Sequence, residues 1–193
     1  DEGRFEVRAR GPNIMPGYWE NDAKTAEAFD EEGFFITGDA VKWVNPAETD
    51  RGLSFDGRIS EDFKLLSGTW VRVAQLKGQL MTALQGIAAD LIITGEGRNE
   101  LGAIIFPVVP GQGAGLKTDA ALLADIKARL QPLADAATGS STRIACAAVF
   151  EEPQSLAHHE ITAKGNLNIR AVLTRRAALV EAMHSGGPGS VRF

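Results

Sequence analysis

The sequence is short of cysteine. One residue, Cys146, among 193 excludes an internal disulfide and fits a reducing, cytoplasmic setting. It lies in the apolar run Ile144–Phe150, where a buried, inert thiol is expected rather than a nucleophile. Long apolar runs are also missing, so no membrane span is expected. Basic excess is missing too. Twenty Lys and Arg stand against 25 Asp and Glu, for a net charge of −5, which argues against a nucleic-acid partner. The basic cluster Arg170, Arg175, Arg176 has the spacing of a solvated helix face. The opening Asp1-Glu2-Gly3-Arg4-Phe5 has no initiator Met, basic start or apolar core. No signal peptide is expected, and the start agrees with a piece of a longer chain. Internal repeats are absent.

What is present suffices for a core, with 44% hydrophobic and 23% charged residues. Residues 4–10 alternate and read as a strand. Asn21 or Asp22 caps a short helix to about Phe29. Strands follow over Gly33–Thr37 and Ala40–Val44, separated by a Gly38-Asp39 turn, and over Gly52–Asp56. Phe63–Leu66 and Thr69–Val73 flank Ser67-Gly68 as a hairpin. A helix spans Gln75–Leu84, and strands Asp90–Thr94 and Leu101–Val109 read as a second hairpin. The Gly-rich run Pro110–Gly115 lacks the Lys-Ser/Thr of a phosphate loop and reads as plain loop. A helix from Asp119 to Leu133, a loop to Thr142, a strand to Phe150, a helix from Asn168 to Met183 and a frayed tail complete the chain. The fold class is α+β. A β-rich segment, residues 1–57, precedes a compact mixed strand and helix domain, residues 58–193.

Two stretches carry candidate chemistry. Gly33-Phe34-Phe35-Ile36-Thr37-Gly38-Asp39 delivers a carboxylate at Asp39. Phe55-Asp56-Gly57-Arg58 delivers a guanidinium at Arg58. An acceptor-only carboxylate beside an Arg can clamp the vicinal hydroxyls of a ribose, although an Asp after Gly is also a common turn former. The His158-His159-Glu160 run invites a metal reading, but it lacks i, i+4 spacing and a third ligand, so no metal site is expected from it. His184 reads as a residue near a helix C-terminus.

Several motifs in order resemble the adenylate-forming superfamily of acyl- and aryl-CoA ligases, luciferases and peptide-synthetase adenylation domains. These are Arg10-Gly11-Pro12-Asn13-Ile14-Met15-Pro16-Gly17-Tyr18-Trp19, then Ala26–Phe34, then Thr37-Gly38-Asp39, and then Gly57-Arg58 with Lys64 beyond. The run Glu61-Asp62-Phe63-Lys64-Leu65-Leu66-Ser67-Gly68-Thr69-Trp70-Val71 looks most like the feruloyl-CoA synthetase branch. The resemblance is strongest from Gly11 to Val73 and weak from about Thr94 to Phe150. It implies that residues 1–57 close the small barrel of a large N-terminal domain and that 58–193 form a C-terminal lid. It also implies a carboxylic acid, ATP and CoA as substrates, with Mg2+.

The resemblance assigns roles residue by residue. Asp39 is the ribose-hydroxyl acceptor and Arg58 a ribose or phosphate partner. Ser60 stands at the hinge, where the family usually has Asp or Lys. Gly68 lets the hairpin approach the pantetheine arm of CoA. By the residues themselves, Trp70 either stacks there or joins the core as hairpin aromatics commonly do, and Lys64 pairs with Asp62 or Glu61. The family's catalytic lysine follows a Gly in a Thr-x-x-Gly-Lys run. In Ile161-Thr162-Ala163-Lys164-Gly165-Asn166 that place holds Asn166, and Lys164 precedes the Gly. Lys164 is therefore the candidate catalytic residue, the bland reading being an exposed loop charge. The phosphate-gripping loop and the acyl pocket belong to the missing N-terminal domain, so the chain alone is expected to be inert. Two alternatives stay open. One is a non-catalytic nucleotide-binding or interaction module, and the other a fatty-acyl or peptide-synthetase type of adenylation enzyme.

Overall fold

The computed structural model describes residues 3–193 except 110–112 and 114, so most of the Gly-rich run Pro110–Gly115 lies outside the described residues. The chain divides into two compact units, Asp1–Asp62 and Phe63–Phe193.

The first unit is built on a three-stranded antiparallel sheet of β1 (Arg4–Ala9), β2 (Phe35–Trp43) and β3 (Leu53–Arg58), in that order. Helix α1 (Asp22–Ala28) sits in the connection between β1 and β2. Asn21 caps it by accepting from the Lys24 N–H at 3.0 Å. The sequence predicts a turn at Gly38-Asp39, but β2 runs straight through it. Gly38 adopts φ +70°, and the pairing register with β3 shifts between Asp39 and Val41. A bulge makes the same demand on the backbone as a turn, a residue tolerant of positive φ, so the two look alike in sequence. Only Ala40 and Val41 of this unit's hydrophobic side chains are buried among the described residues.

The second unit opens with the hairpin of β4 (Phe63–Lys64) and β5 (Trp70–Val71), followed by α2 (Val73–Ala83). Its main sheet has the order β6 (Ala88–Thr94), β7 (Leu101–Pro107), β8 (Ile144–Val149) and β9 (Ser190–Arg192). Strands β7 and β8 are parallel, and the other pairs are antiparallel. The parallel step needs a crossover, and α3 (Ala120–Ala136) supplies it. Helices α4 (Ile169–Arg175) and α5 (Ala177–His184) precede β9.

The period-two alternation of strand side chains divides this sheet into two cores. Leu91, Ile93, Ala103, Ile105, Ala147 and Val149 pack with Leu76 and Leu80 of α2 and Ile126 and Leu130 of α3. Ile92, Ile104, Phe106, Cys146 and Ala148 pack with Val172, Val180 and Met183 of α4 and α5. A sheet covered on both faces explains why β6, β7 and β8 read as unbroken apolar runs rather than alternating ones. Cys146 is fully buried, and burial pushes its thiol up to about 11.

Three local expectations need correction. The last helix is two helices, broken at Arg176 with ψ 24°. Helix α3 continues past Leu133 to Ala136 because Ala134 is still buried against the core. The tail does not fray: Val191 is buried, β9 pairs with β8, and the Phe193 N–H donates to the Ala145 carbonyl at 3.1 Å.

Ile105 lies on the central strand β7 with no exposed surface. Ile105→Val should cost about 1 kcal/mol and Ile105→Ala about 2–5 kcal/mol, read as a lowered urea midpoint with unchanged slope.

Candidate functional site

In the first unit, antiparallel pairing makes Asp39 of β2 the direct cross-strand partner of Arg58 of β3. Arg58 Nε lies 3.0 Å from Asp39 Oδ1, and its Nη1 donates to the Thr37 carbonyl at 2.9 Å. Thr37 braces the same turn of chain. Its hydroxyl donates to the Val7 carbonyl at 2.7 Å and accepts from the Asp39 N–H at 3.1 Å. The two residues that the sequence singled out are therefore brought together on one sheet. Their side chains are 36% and 53% exposed, so the pair adds little to stability. What it offers is a carboxylate acceptor beside a guanidinium donor at the surface, the set that hydroxyls and anionic oxygens need.

In the second unit the hairpin tip is a tight turn, with the Gly68 N–H donating to the Leu65 carbonyl at 2.9 Å. Gly68 is exposed at φ +81°, and a Cβ there would meet nothing within 4 Å. The backbone conformation alone is enough to call for glycine at this point. Trp70 is 53% exposed rather than in the core. Lys64, its cross-strand partner, places Nζ 4.9 Å from the indole ring centroid, where the sequence had suggested an ion pair with Asp62 or Glu61. Ser60 is exposed in a single 3-10 turn, Ile59–Glu61, that follows β3.

Lys164 stands near the tip of a small loop closed by the Ile161 and Leu167 bridge. The Gly165 N–H donates to the Thr162 carbonyl at 2.9 Å, and Gly165 turns the chain at φ +83°. The Asn166 N–H donates to Thr162 Oγ1 at 3.1 Å. Lys164 itself is exposed and makes no ion pair among the described residues, so its ammonium is free for a ligand. Asn168 then caps α4 by accepting from the Ala171 N–H at 3.2 Å.

Sequence reasoning missed what holds this loop. Arg176, expected on a solvated face, is buried at 3% exposure, and Glu160 is buried at 0%. Arg176 Nε and Nη2 reach Glu160 Oε1 and Oε2 at 2.7 and 2.6 Å. Its remaining donors reach the Glu152 and Pro153 carbonyls, and the guanidinium lies over Phe106 and Phe150. Arg175 adds bonds to Glu152 and Glu160. The Ser155 N–H also donates to Glu160 Oε2. The Glu160 oxygens are thus taken up by two arginines and a backbone N–H, while His158 and His159 are exposed. The only available signal was a charged residue beside the apolar run of α5. An open cleft next to this network is lined by His158, Asn168, Arg170 and Arg175.

No family model matches the chain. It is 36% identical over 109 residues to the human long-chain-fatty-acid–CoA ligase 1, covering 56% of this chain and 15% of that one. It is 29% identical over 109 residues to a chloroplastic long-chain-fatty-acid–[acyl-carrier-protein] ligase of Arabidopsis thaliana, covering 52% and 14%. The adenylation domain of a carboxylate reductase from Mycobacterium chelonae superposes with a TM-score of 0.71 at 22% identity, over 94% of this chain and 28% of that one. The homologues and structural neighbours are thus acid-activating ligases and adenylation domains, and the mixed α/β fold matches the corresponding portion of an adenylation domain. The chain spans about 15% of the length of the curated relatives it matches.

Burial by itself pushes the Glu160 carboxyl up, but hydrogen bonds from Arg176, the Ser155 N–H and Arg175 outweigh it and bring it down to about 2, from an ordinary 4.5. A depressed folded value adds stability that is present above pH 4.5 and lost as pH falls toward 2. Urea unfolding across that range should show the wild-type chain losing on the order of 3 kcal/mol that Glu160→Gln does not lose. At neutral pH Glu160→Gln should itself cost about 3–5 kcal/mol, because it leaves Arg176 buried without its counter-charge.

Proposed function

We propose that this chain is the C-terminal part of an ATP-dependent carboxylate–CoA ligase. The whole enzyme would join a carboxylic acid to ATP as an acyl-adenylate, releasing pyrophosphate. It would then pass the acyl group to the thiol of CoA, releasing AMP. The observation that supports the reading is the exposed Asp39–Arg58 pair, set cross-strand on one sheet, in a sequence context that resembles the adenylate-forming enzymes.

In this reading Asp39 accepts hydrogen bonds from the ribose hydroxyls, and Arg58 supports the ribose or a phosphate. Lys164, on its Gly165 turn, supplies the cation that neutralises charge developing between the carboxylate and the α-phosphate. Residues 1–57 end the large N-terminal domain, which brings the phosphate loop and the acyl pocket, and residues 58–193 act as its lid. Ser60 is the hinge, because an exposed single-turn segment can absorb a large backbone change. After adenylation the lid rotates, and the hairpin tip at Gly68 guides the pantetheine arm. Mg2+ would travel with the ATP phosphates. The Asp39 carboxylate, already held by Arg58, does not fit it, and no step here depends on the metal. Within the class we favour an aryl acid of the feruloyl type over a fatty acid, on the motif from Glu61 to Val71. The reading places the enzyme in the cytoplasm, in keeping with the unpaired cysteine.

Asn166, where the family carries its lysine, favours one competing reading, a module that binds adenine nucleotide without turning it over. Half-reactions of the longer enzyme separate the two. Lys164→Ala should slow ATP–pyrophosphate exchange by about a hundredfold or more, with thioester formation from supplied acyl-adenylate nearly unchanged and Asn166→Ala near wild type. Exchange that survives Lys164→Ala would remove the catalytic assignment. The isolated chain should release no AMP from ATP, carboxylate and CoA. Release of AMP by the chain alone would refute the division of labour proposed here.

A further inference from the structure

A second cluster of reactive side chains lies in the second unit, and no step of the proposed ligase reaction uses it. Strand register sets Thr94, Gly102, Cys146 and Arg192 in one row across β6, β7, β8 and β9. His184, the last residue of α5, stands over this row. Its Nε2 is 2.8 Å from Thr94 Oγ1, and its Nδ1 is 3.7 Å from Cys146 Sγ. Gly102 makes the space. A Cβ there would lie 2.9 Å from Thr94 Oγ1 and 3.0 Å from Cys146 Sγ. Glu100, two residues before Gly102, brings its carboxylate to the same place. One donor atom each from Glu100, Cys146 and His184 falls within 4.8 Å of the others.

We propose that Glu100, Cys146 and His184 form a binding site for a divalent cation of the zinc type. Sulfur, imidazole nitrogen and carboxylate oxygen are the donor set zinc takes, and three protein ligands leave one position for water. A sulfur and a nitrogen bound to zinc at tetrahedral angles stand about 3.6 Å apart, close to the separation between Cys146 and His184. Thr94 at Nε2 is the outer partner that fixes the His184 ring and leaves Nδ1 to ligate. Arg192 plays the same part for Glu100, holding its two oxygens at 2.6 and 3.0 Å while each oxygen keeps a further lone pair. Binding forms a metal–thiolate bond at Cys146 and releases the thiol proton to solvent. Neither His158 nor His159 takes part.

Cobalt(II) is the probe, because thiolate-bound cobalt absorbs in the near ultraviolet and Cys146 is the sole thiol. The chain, free of any histidine tag, should develop this absorption, saturate at one equivalent and lose it when zinc is added. Cys146→Ser should abolish the band. His184→Ala, Glu100→Gln and Thr94→Val should each weaken cobalt binding by about tenfold or more. His158→Ala with His159→Ala should leave it unchanged. A native chain that shows no thiolate–cobalt absorption in excess cobalt overturns the proposal without any variant having to fold. So does a band whose cobalt affinity is unchanged by both His184→Ala and Glu100→Gln, since the cysteine would then be binding without the site.

Discussion

The second unit depends on one buried ion pair. Arg176 breaks the C-terminal helical stretch into α4 and α5, and its guanidinium spans Glu160 with two short bonds. Such a pair does not come free, because both ions lose water that their attraction must offset. Here the remaining donors and acceptors are also satisfied, by the Glu152 and Pro153 carbonyls, by Arg175 and by the Ser155 N–H. A network satisfied to that degree rigidifies what it touches. What it touches is the irregular stretch after β8, which has almost no secondary structure of its own and which leads into the Lys164 loop. A long side chain on an irregular loop keeps a defined place only if the loop is anchored, and this pair is the anchor.

The first unit works by the opposite logic. Its pair, Asp39 with Arg58, is exposed and contributes little to the fold. The sheet supplies the precision instead, since cross-strand register fixes both Cα positions and Thr37 braces the bulge between them. A buried pair thus holds structure, and an exposed pair leaves its acceptor and donor groups open at the surface.

The strands and helices with strong apolar patterns were legible in the sequence: β6, β7, β8, α2 and the start of α3 all lie where periodicity put them. The Asp39–Arg58 pair was legible because its two halves lie on adjacent strands with short, recognisable ends. The errors share a cause. Local pattern points to a turn at Gly38, a surface charge at Arg176 and a frayed tail over Ser185–Phe193, because each is decided by a distant partner. Gly38 depends on β3, Arg176 on Glu160, and β9 on β8. Of the two readings open for the Trp70 indole, the core one rests on a general preference that a two-residue hairpin strand cannot satisfy. Glu100, Cys146 and His184 carry no spacing motif at all, since the register of four strands and the end of a helix bring them together.

The place of β9 bears on how the second unit is made. Strand β8 has β7 on one side and β9 on the other, and β9 comes from residues 190–192, after every other element of the unit. On the ribosome the flank of β8 therefore stays open until these residues leave the exit tunnel. Through that interval the nascent chain presents an apolar strand with unpaired backbone groups, the kind of edge that chaperones cover and that recruits other strands.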